Sequence, residues 1–123
     1  MSKKITIIDY GMGNLYSVQN ALRSIGAEPV VTSDAAVIAQ AEKILLPGVG
    51  AFGDCMVNLE KSGLIPVIMD SLHSGKPFLG ICLGMQLLFE GSDEAPGVKG
   101  LGFFKGQVRL LHTEPVSYTH LRA

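Results

Sequence analysis

Tryptophan is absent from this chain of 123 residues, cysteine occurs twice and histidine three times. No Cys/His spacing resembles a chelating set, so a structural zinc module is excluded. With so few cysteines a disulfide framework is also excluded; Cys55 and Cys82 read as free thiols of a reducing compartment. An excess of one charge is lacking too: 10 basic against 11 acidic residues give a net charge of -1. Without a basic field, nucleic acid and anionic membranes are poor partners. Long apolar runs are missing: after Lys3 and Lys4 the apolar stretch is only Ile5 to Ile8, broken by Asp9. That is too short for a signal peptide or a bilayer span, so a cytoplasmic protein is expected. Internal repeats and low-complexity tracts are likewise absent.

What is present is globular: 47% hydrophobic and 17% charged residues, enough for one domain with a buried core. Ile5–Asp9 reads as a buried strand, and Asn14 as the cap of a helix whose apolar positions are Leu15, Val18, Leu22 and Ile25, ended by Gly26. Glu28–Val31 is a second strand, placed near an edge by Pro29. A short helix over Ala35–Ala41, capped by Ser33 or Asp34, leads to a third strand, Lys43–Leu46, stopped by Pro47. Helices over Phe52–Lys61 and Leu64–Leu72, broken at Gly63 and Gly75, precede a fourth strand, Phe78–Ile81, and a helix continuing through Met85–Phe89. Glu90–Gly100 is expected as a surface loop, and Leu101–Phe104 and Gln107–Leu111 as extended chain. The alternation predicts an α/β fold: a doubly wound, mostly parallel sheet with helices on both faces. In such sheets ligands bind at the carboxyl ends of the strands. Gly11–Asn14, Gly48–Gly50 and Cys82 all fall at such ends, on one rim.

Cys82 is the chemically informative residue. It stands in Gly80-Ile81-Cys82-Leu83-Gly84, between a strand and a helix, with small residues on both sides. A turn this sharp lifts one side chain clear of the sheet and sets it over a helix N-terminus, which favours a thiolate. The free N–H groups that begin the helix, from Leu83 onward, can bind an oxyanion. A core cysteine on a parallel strand is the plainer alternative, and the flanking glycines argue against it. Pro47-Gly48-Val49-Gly50-Ala51-Phe52 can turn its N–H groups outward toward a negative oxygen. Alone it is an ordinary strand-to-helix turn; beside a cysteine elbow it forms an oxyanion wall. Cys55, on a helix after Gly53 and Asp54, reads as packed or plainly exposed.

Together, the PGVG segment and GICLGMQLLFE resemble the class I glutamine amidotransferases. Asp9-Tyr10-Gly11-Met12-Gly13-Asn14-Leu15 and Glu94-Ala95-Pro96-Gly97-Val98-Lys99-Gly100-Leu101 narrow the resemblance to the glutaminase subunits of imidazole glycerol phosphate synthase, over about residues 3–111. The resemblance implies that Cys82 attacks the carboxamide of L-glutamine and forms a glutamyl thioester. It gives Leu83 one oxyanion N–H and Val49 or Gly50 the other, and it sets Gln86 and Gly48 against the substrate. It also implies that the PGVG strand stays in a non-productive orientation until a partner engages, a peptide flip that Gly48 and Gly50 make sterically cheap. Gly13 and Asn14 match the surface facing that partner, a (β/α)8-barrel cyclase. The cyclase uses the ammonia in histidine biosynthesis, releasing imidazole glycerol phosphate and a purine-precursor nucleotide, while glutamate leaves the glutaminase. No metal and no cofactor are implied.

The chain departs from that pattern at its end. Cysteine nucleophiles need a base and an orienting carboxylate, which the family supplies in a His-Pro-Glu block beyond the elbow. No such block is present, nor the family's Pro-His-x-Gly-Trp-Asn segment. Residues 1–111 are therefore read as the amidotransferase domain, C-terminally incomplete and roughly a third short of family length. Residues 112–123 are read as a tail unlike the family. His112, Glu114 and His120 lack the spacing of the missing block and are not expected to complete a triad. His73 reads as a helix-end surface residue. Two other functions fit the residues less well: a non-catalytic binding module, and a cysteine-elbow hydrolase of another family.

Overall fold

The computed structural model describes residues 2–111. Strands β1 (Lys4–Ile8), β2 (Glu28–Thr32), β3 (Ile44–Leu46) and β4 (Phe78–Gly80) form one sheet in the order β2-β1-β3-β4, parallel throughout. Pro29 pairs opposite Ile5 on the edge strand β2, where a missing N–H disturbs only one ladder.

Side chains of the two inner strands alternate between layers, as period two requires. Ile8, Ile44 and Leu46 join the larger core, while Ile7 and Leu45 point to the other face. The larger core is closed by α2 (Ala35–Gln40), α3 (Phe52–Ser62), α4 (Ile65–His73) and α5 (Leu83–Gln86). On the opposite face Leu22 of α1 (Leu15–Ser24) packs on Ile7 and Leu45. That cover is partial. Leu79 of β4 pairs with Leu45 yet stays 55% exposed, in a shallow apolar cleft with Ile5, Leu22 and Phe78. Each of Ile44, Leu45 and Leu46 is almost fully buried. Burial of this kind stabilises by about 1.5–3 kcal/mol per side chain, so β3 anchors whatever is attached to its end.

Local signals explain the element ends. Asn14 accepts a hydrogen bond from the Ser17 N–H at 3.3 Å, and Asp34, rather than Ser33, accepts one from Ala36 at 2.9 Å. Gly63 takes a left-handed conformation, φ 72°, and stops α3. Ile25, expected on the buried face of α1, is 77% exposed, because the helix ends beneath it as the C-cap.

Three expectations past the elbow need correction. The helix after Cys82 is a single turn, Leu83–Gln86, and then loosens into turns. Leu101–Phe104 is not a strand. Its N–H groups instead satisfy the loosened turn, Leu101 donating to the Leu87 carbonyl at 2.8 Å, Gly102 to Phe89 at 3.0 Å and Phe104 to Leu88 at 3.0 Å. The segment following Glu90 is not wholly a surface loop either: Gly91–Ser92 forms a buried strand, β5, paired in parallel with β6, Gln107–Val108. No helix among the described residues is long and apolar enough to cross a membrane.

Candidate active site

The site begins with a strained residue. Cys82 has φ 54° and ψ −123°, and among the described residues no other non-glycine has positive φ. Such a conformation costs about 1–3 kcal/mol and persists only where its surroundings over-determine it. They do. Before the apex, the Ile81 N–H donates to the Leu46 carbonyl at 3.0 Å, extending the β4 ladder by one residue. After it, Gly84 donates to Ile81 at 2.9 Å and Met85 to Cys82 at 3.0 Å. The thiol is exposed, as the elbow reading requires. The Leu83 N–H has no hydrogen-bond partner among the described residues.

Main chain meets main chain at the rim. A Cβ on Gly84 would fall on the Leu46 carbonyl oxygen, and one on Gly80 would lie 2.7 Å from the Met85 Cα. A Cβ on Gly48 would meet the Gly84 nitrogen at 2.7 Å, the Tyr10 hydroxyl at 2.8 Å and the Leu83 Cβ at 2.9 Å. Glycine at 48, 80 and 84 thus lets the PGVG loop press on the first turn of α5. The Gly11–Asn14 loop closes the third side, Gly13 beside Pro47 and Met12 beside Gly50. The three segments expected on one rim are together.

Beneath the loop lie two groups that the sequence reading did not assign. Tyr10 is buried, and its hydroxyl donates to the Pro47 carbonyl at 2.6 Å. Cys55 is fully buried, and its Sγ donates to the Val49 carbonyl at 3.3 Å. Burial pushes the Cys55 thiol up, an effect that the nearness of the Tyr10 hydroxyl and the Val49 main chain partly offsets. The Tyr10 phenol is pushed far above its ordinary value, by burial first and then by Cys55. Of the two readings for Cys55, packed or plainly exposed, the structure shows the packed one. Phe52, Cys55, Met56 and Leu59 make the buried stripe of α3, and that spacing was the readable signal.

The remaining site residues are less concentrated. Gln86 is half-buried one turn after Cys82, its N–H 3.3 Å from the Cys82 carbonyl. It lines a cleft of about 410 Å³ with Ser92, Asp93, Glu94, Val108 and Arg109. Cys82 itself is not part of that lining. Asn14 is exposed on the rim and Gly13 is half-buried beside it. No described histidine accompanies Cys82. His73 sits at the end of α4, its Nδ1 2.8 Å from the Met69 carbonyl and its ring edge-on to Phe103. In a parallel sheet the helix that precedes β4 ends near the strand's beginning, so His73 lies at the opposite end of the sheet from Cys82. His112, Glu114 and His120 lie outside the described residues. Nor do the described residues gather a cluster of His, Cys, Asp and Glu able to hold a metal ion.

Comparison with known proteins decides what this rim belongs to. The family described as Glutamine amidotransferase class-I matches residues 6–118. The chain belongs to the class-I glutamine amidotransferases. Among curated relatives, a protein of Geobacter metallireducens named imidazole glycerol phosphate synthase subunit HisH is 55% identical over 104 residues, 85% of this chain and 50% of the relative. The protein of the same name in Aquifex aeolicus is 55% identical over 109 residues, 88% of this chain and 53% of the relative. The chain therefore spans about half the length of these relatives, less than the two thirds expected from the sequence. A peptidase E protein from Listeria monocytogenes has a similar structure, with a TM-score of 0.59 and 15% identity over 71% of this chain and 50% of the other. At that identity the likeness speaks for the fold alone. The reading as a hydrolase of another family is set aside by the amidotransferase match.

Proposed function

We propose that this amidotransferase chain carries the nucleophile-bearing part of the glutaminase of imidazole glycerol phosphate synthase. The observation behind the proposal is the strained, exposed Cys82 held against the PGVG loop, in a chain 55% identical to relatives of that name. In this reading the Cys82 sulfur attacks the glutamine carboxamide. The Leu83 N–H, with Val49 or Gly50, receives the negative oxygen of the tetrahedral intermediate. Collapse expels ammonia and leaves a γ-glutamyl thioester, which water hydrolyses to glutamate. Gln86 and Gly48 hold the substrate. Gly13 and Asn14, on the same rim, face a (β/α)8-barrel cyclase that receives the ammonia shielded from water. The setting is cytoplasmic histidine biosynthesis.

The leaving amide nitrogen needs a proton, and no described residue beside Cys82 supplies one. Loss of a triad member costs on the order of 10³–10⁶ in rate, so slow ammonia release is expected from the chain by itself. The decisive test is therefore covalent rather than steady-state. A glutamine-mimicking electrophile should label Cys82, and free glutamine should protect it where asparagine does not. Labelling indifferent to glutamine would refute the proposed substrate. For the rim, Asn14→Asp should weaken coupling of glutamine use to cyclisation with little change in folding; unchanged coupling would move the interface elsewhere.

A further inference from the structure

The sheet gives out beside the PGVG loop, and one side chain continues it. The Thr6 N–H of β1 donates to the Lys43 carbonyl at 2.9 Å, and bonds of a parallel ladder recur at every second residue. That series would set the N–H of Tyr10 on the Pro47 carbonyl. But β1 ends at Ile8, its pairing with β3 ends at Ile7 opposite Leu45, and no main-chain N–H among the described residues reaches the Pro47 carbonyl. The Tyr10 hydroxyl reaches it instead, at 2.6 Å, from a buried ring. A phenylalanine would fill the same space without the cost of desolvating a hydroxyl. The oxygen is therefore explained by the carbonyl it holds.

Holding that carbonyl places the next residue. The peptide joining Pro47 to Gly48 is planar, so its orientation carries the Gly48 Cα with it. Gly48 has no room to compensate. A Cβ there would meet the Tyr10 hydroxyl at 2.8 Å, the Leu83 Cβ at 2.9 Å and the Gly84 nitrogen at 2.7 Å. The hydroxyl is thus a floor beneath Gly48, and the first turn of α5 is its wall. The far end of the loop is held more loosely: the Cys55 sulfur donates to the Val49 carbonyl at 3.3 Å, and a thiol is a weak donor.

We propose that Tyr10 is a positioning residue for the attack on glutamine. Its hydroxyl, standing in for a missing rung of the sheet, sets the gap between the PGVG loop and the first turn of α5, across which the negative oxygen is received. The inference rests on the reading of the loop and Leu83 as the oxyanion wall, and it holds whichever of Val49 and Gly50 is the second donor. Donors serve a developing oxyanion at about 2.7–3.1 Å. A small widening of the gap therefore lowers the rate while leaving the fold and the Cys82 thiol in place.

Two electrophiles, used on the full chain, separate positioning from packing. The chloromethyl ketone analogue of glutamine presents a carbonyl oxygen to the wall while the Cys82 sulfur displaces chloride. Iodoacetamide reaches the same sulfur without needing the wall. Tyr10→Phe should slow the first reaction at Cys82 at least about tenfold at saturating reagent, with the half-saturating concentration changed less than about twofold. The iodoacetamide rate at Cys82 should not change. Cys55→Ala, which releases the weaker tie, should slow the chloroketone less than Tyr10→Phe does. A packing role alone would move both reactions together or neither. Equal slowing of the two, no slowing of the chloroketone, or a larger effect from Cys55→Ala would overturn the proposal. Iodoacetamide at buried Cys55 reports whether Tyr10→Phe has folded; if that rate rises, the two Cys82 rates are read in sucrose, which restores the fold without restoring the hydroxyl. Failure of glutamine to protect native Cys82 from the chloroketone would refute the substrate reading. Protection in the native chain with no effect of Tyr10→Phe would refute the positioning role alone.

Discussion

Gly84 lies directly against the carbonyl of Leu46, with no space between them for a methyl group. That carbonyl already accepts the Ile81 N–H at 3.0 Å, so it cannot move aside without unzipping the last rung of the sheet. Gly84→Ala should therefore destabilise the fold by about 3 kcal/mol or more, at the upper end of overpacking costs. Gly53→Ala is the control. It lies in α3, its added Cβ would come no nearer than 3.6 Å to Ala95, and it should stabilise by roughly 0.5 kcal/mol through helix propensity. Urea titration of both variants measures the contrast.

Strain at Cys82 can be measured by relieving it. Glycine adopts φ 54° freely, whereas alanine pays the same penalty as cysteine. Cys82→Gly should accordingly be more stable than Cys82→Ala by about 1–2 kcal/mol, the reverse of their order in an ordinary helix. Thermal unfolding of the pair reads this directly. Equal stability would mean that the elbow conformation is not strained.

The two thiols should react at very different rates. Cys82 is exposed, whereas Cys55 is reached only when the core opens. Iodoacetamide should modify Cys82 at least about a hundredfold faster than Cys55, the ratio collapsing in denaturant. Peptide mapping against time gives the two rates.

Alkali should act through the two groups buried beneath the PGVG loop, Tyr10 and Cys55. Cys55 is raised above its ordinary 9.0 and Tyr10 above its ordinary 10.0. As pH rises, the unfolded chain loses these protons before the folded one does, so stability falls. The contribution is complete below about pH 9 and is lost through the folded-state values above it. Asp54 and Glu94, facing Cys55, push in the same direction. The stability difference between the native chain and Cys55→Ala should shrink as pH climbs past 9.0, a comparison that cancels the other titrating groups.

Much of this could be read from residue order. Strand and helix alternation gave the parallel sheet, Pro29 marked the edge strand, and Gly80 through Gly84 announced the elbow. These signals are local: each is a few residues whose backbone demands are met by one conformation. The parts that escaped are those in which distant segments satisfy one another. Leu101–Phe104 has the composition of a strand, but its N–H groups are taken by carbonyls at Leu87, Leu88 and Phe89. Gly91–Ser92 has the composition of a loop, yet the partner at Gln107–Val108 buries it. Cys55 looked incidental because its importance lies in a carbonyl six residues earlier and a hydroxyl on another element. Helical spacing with Phe52, Met56 and Leu59 would have marked it as buried, though not what it holds.

The way Val49 is mounted has a consequence for sequence variation. Its side chain stands outward while its main chain does the holding, so position 49 should accept many residues. Its neighbour Gly48 is closed on three sides and should accept none. A saturation library across 47–50 should therefore return a sharp alternation, one position nearly silent beside one nearly invariant. Tolerance at 49 would then be no evidence that the position is idle, because substitution there changes everything about the residue except the two atoms that matter.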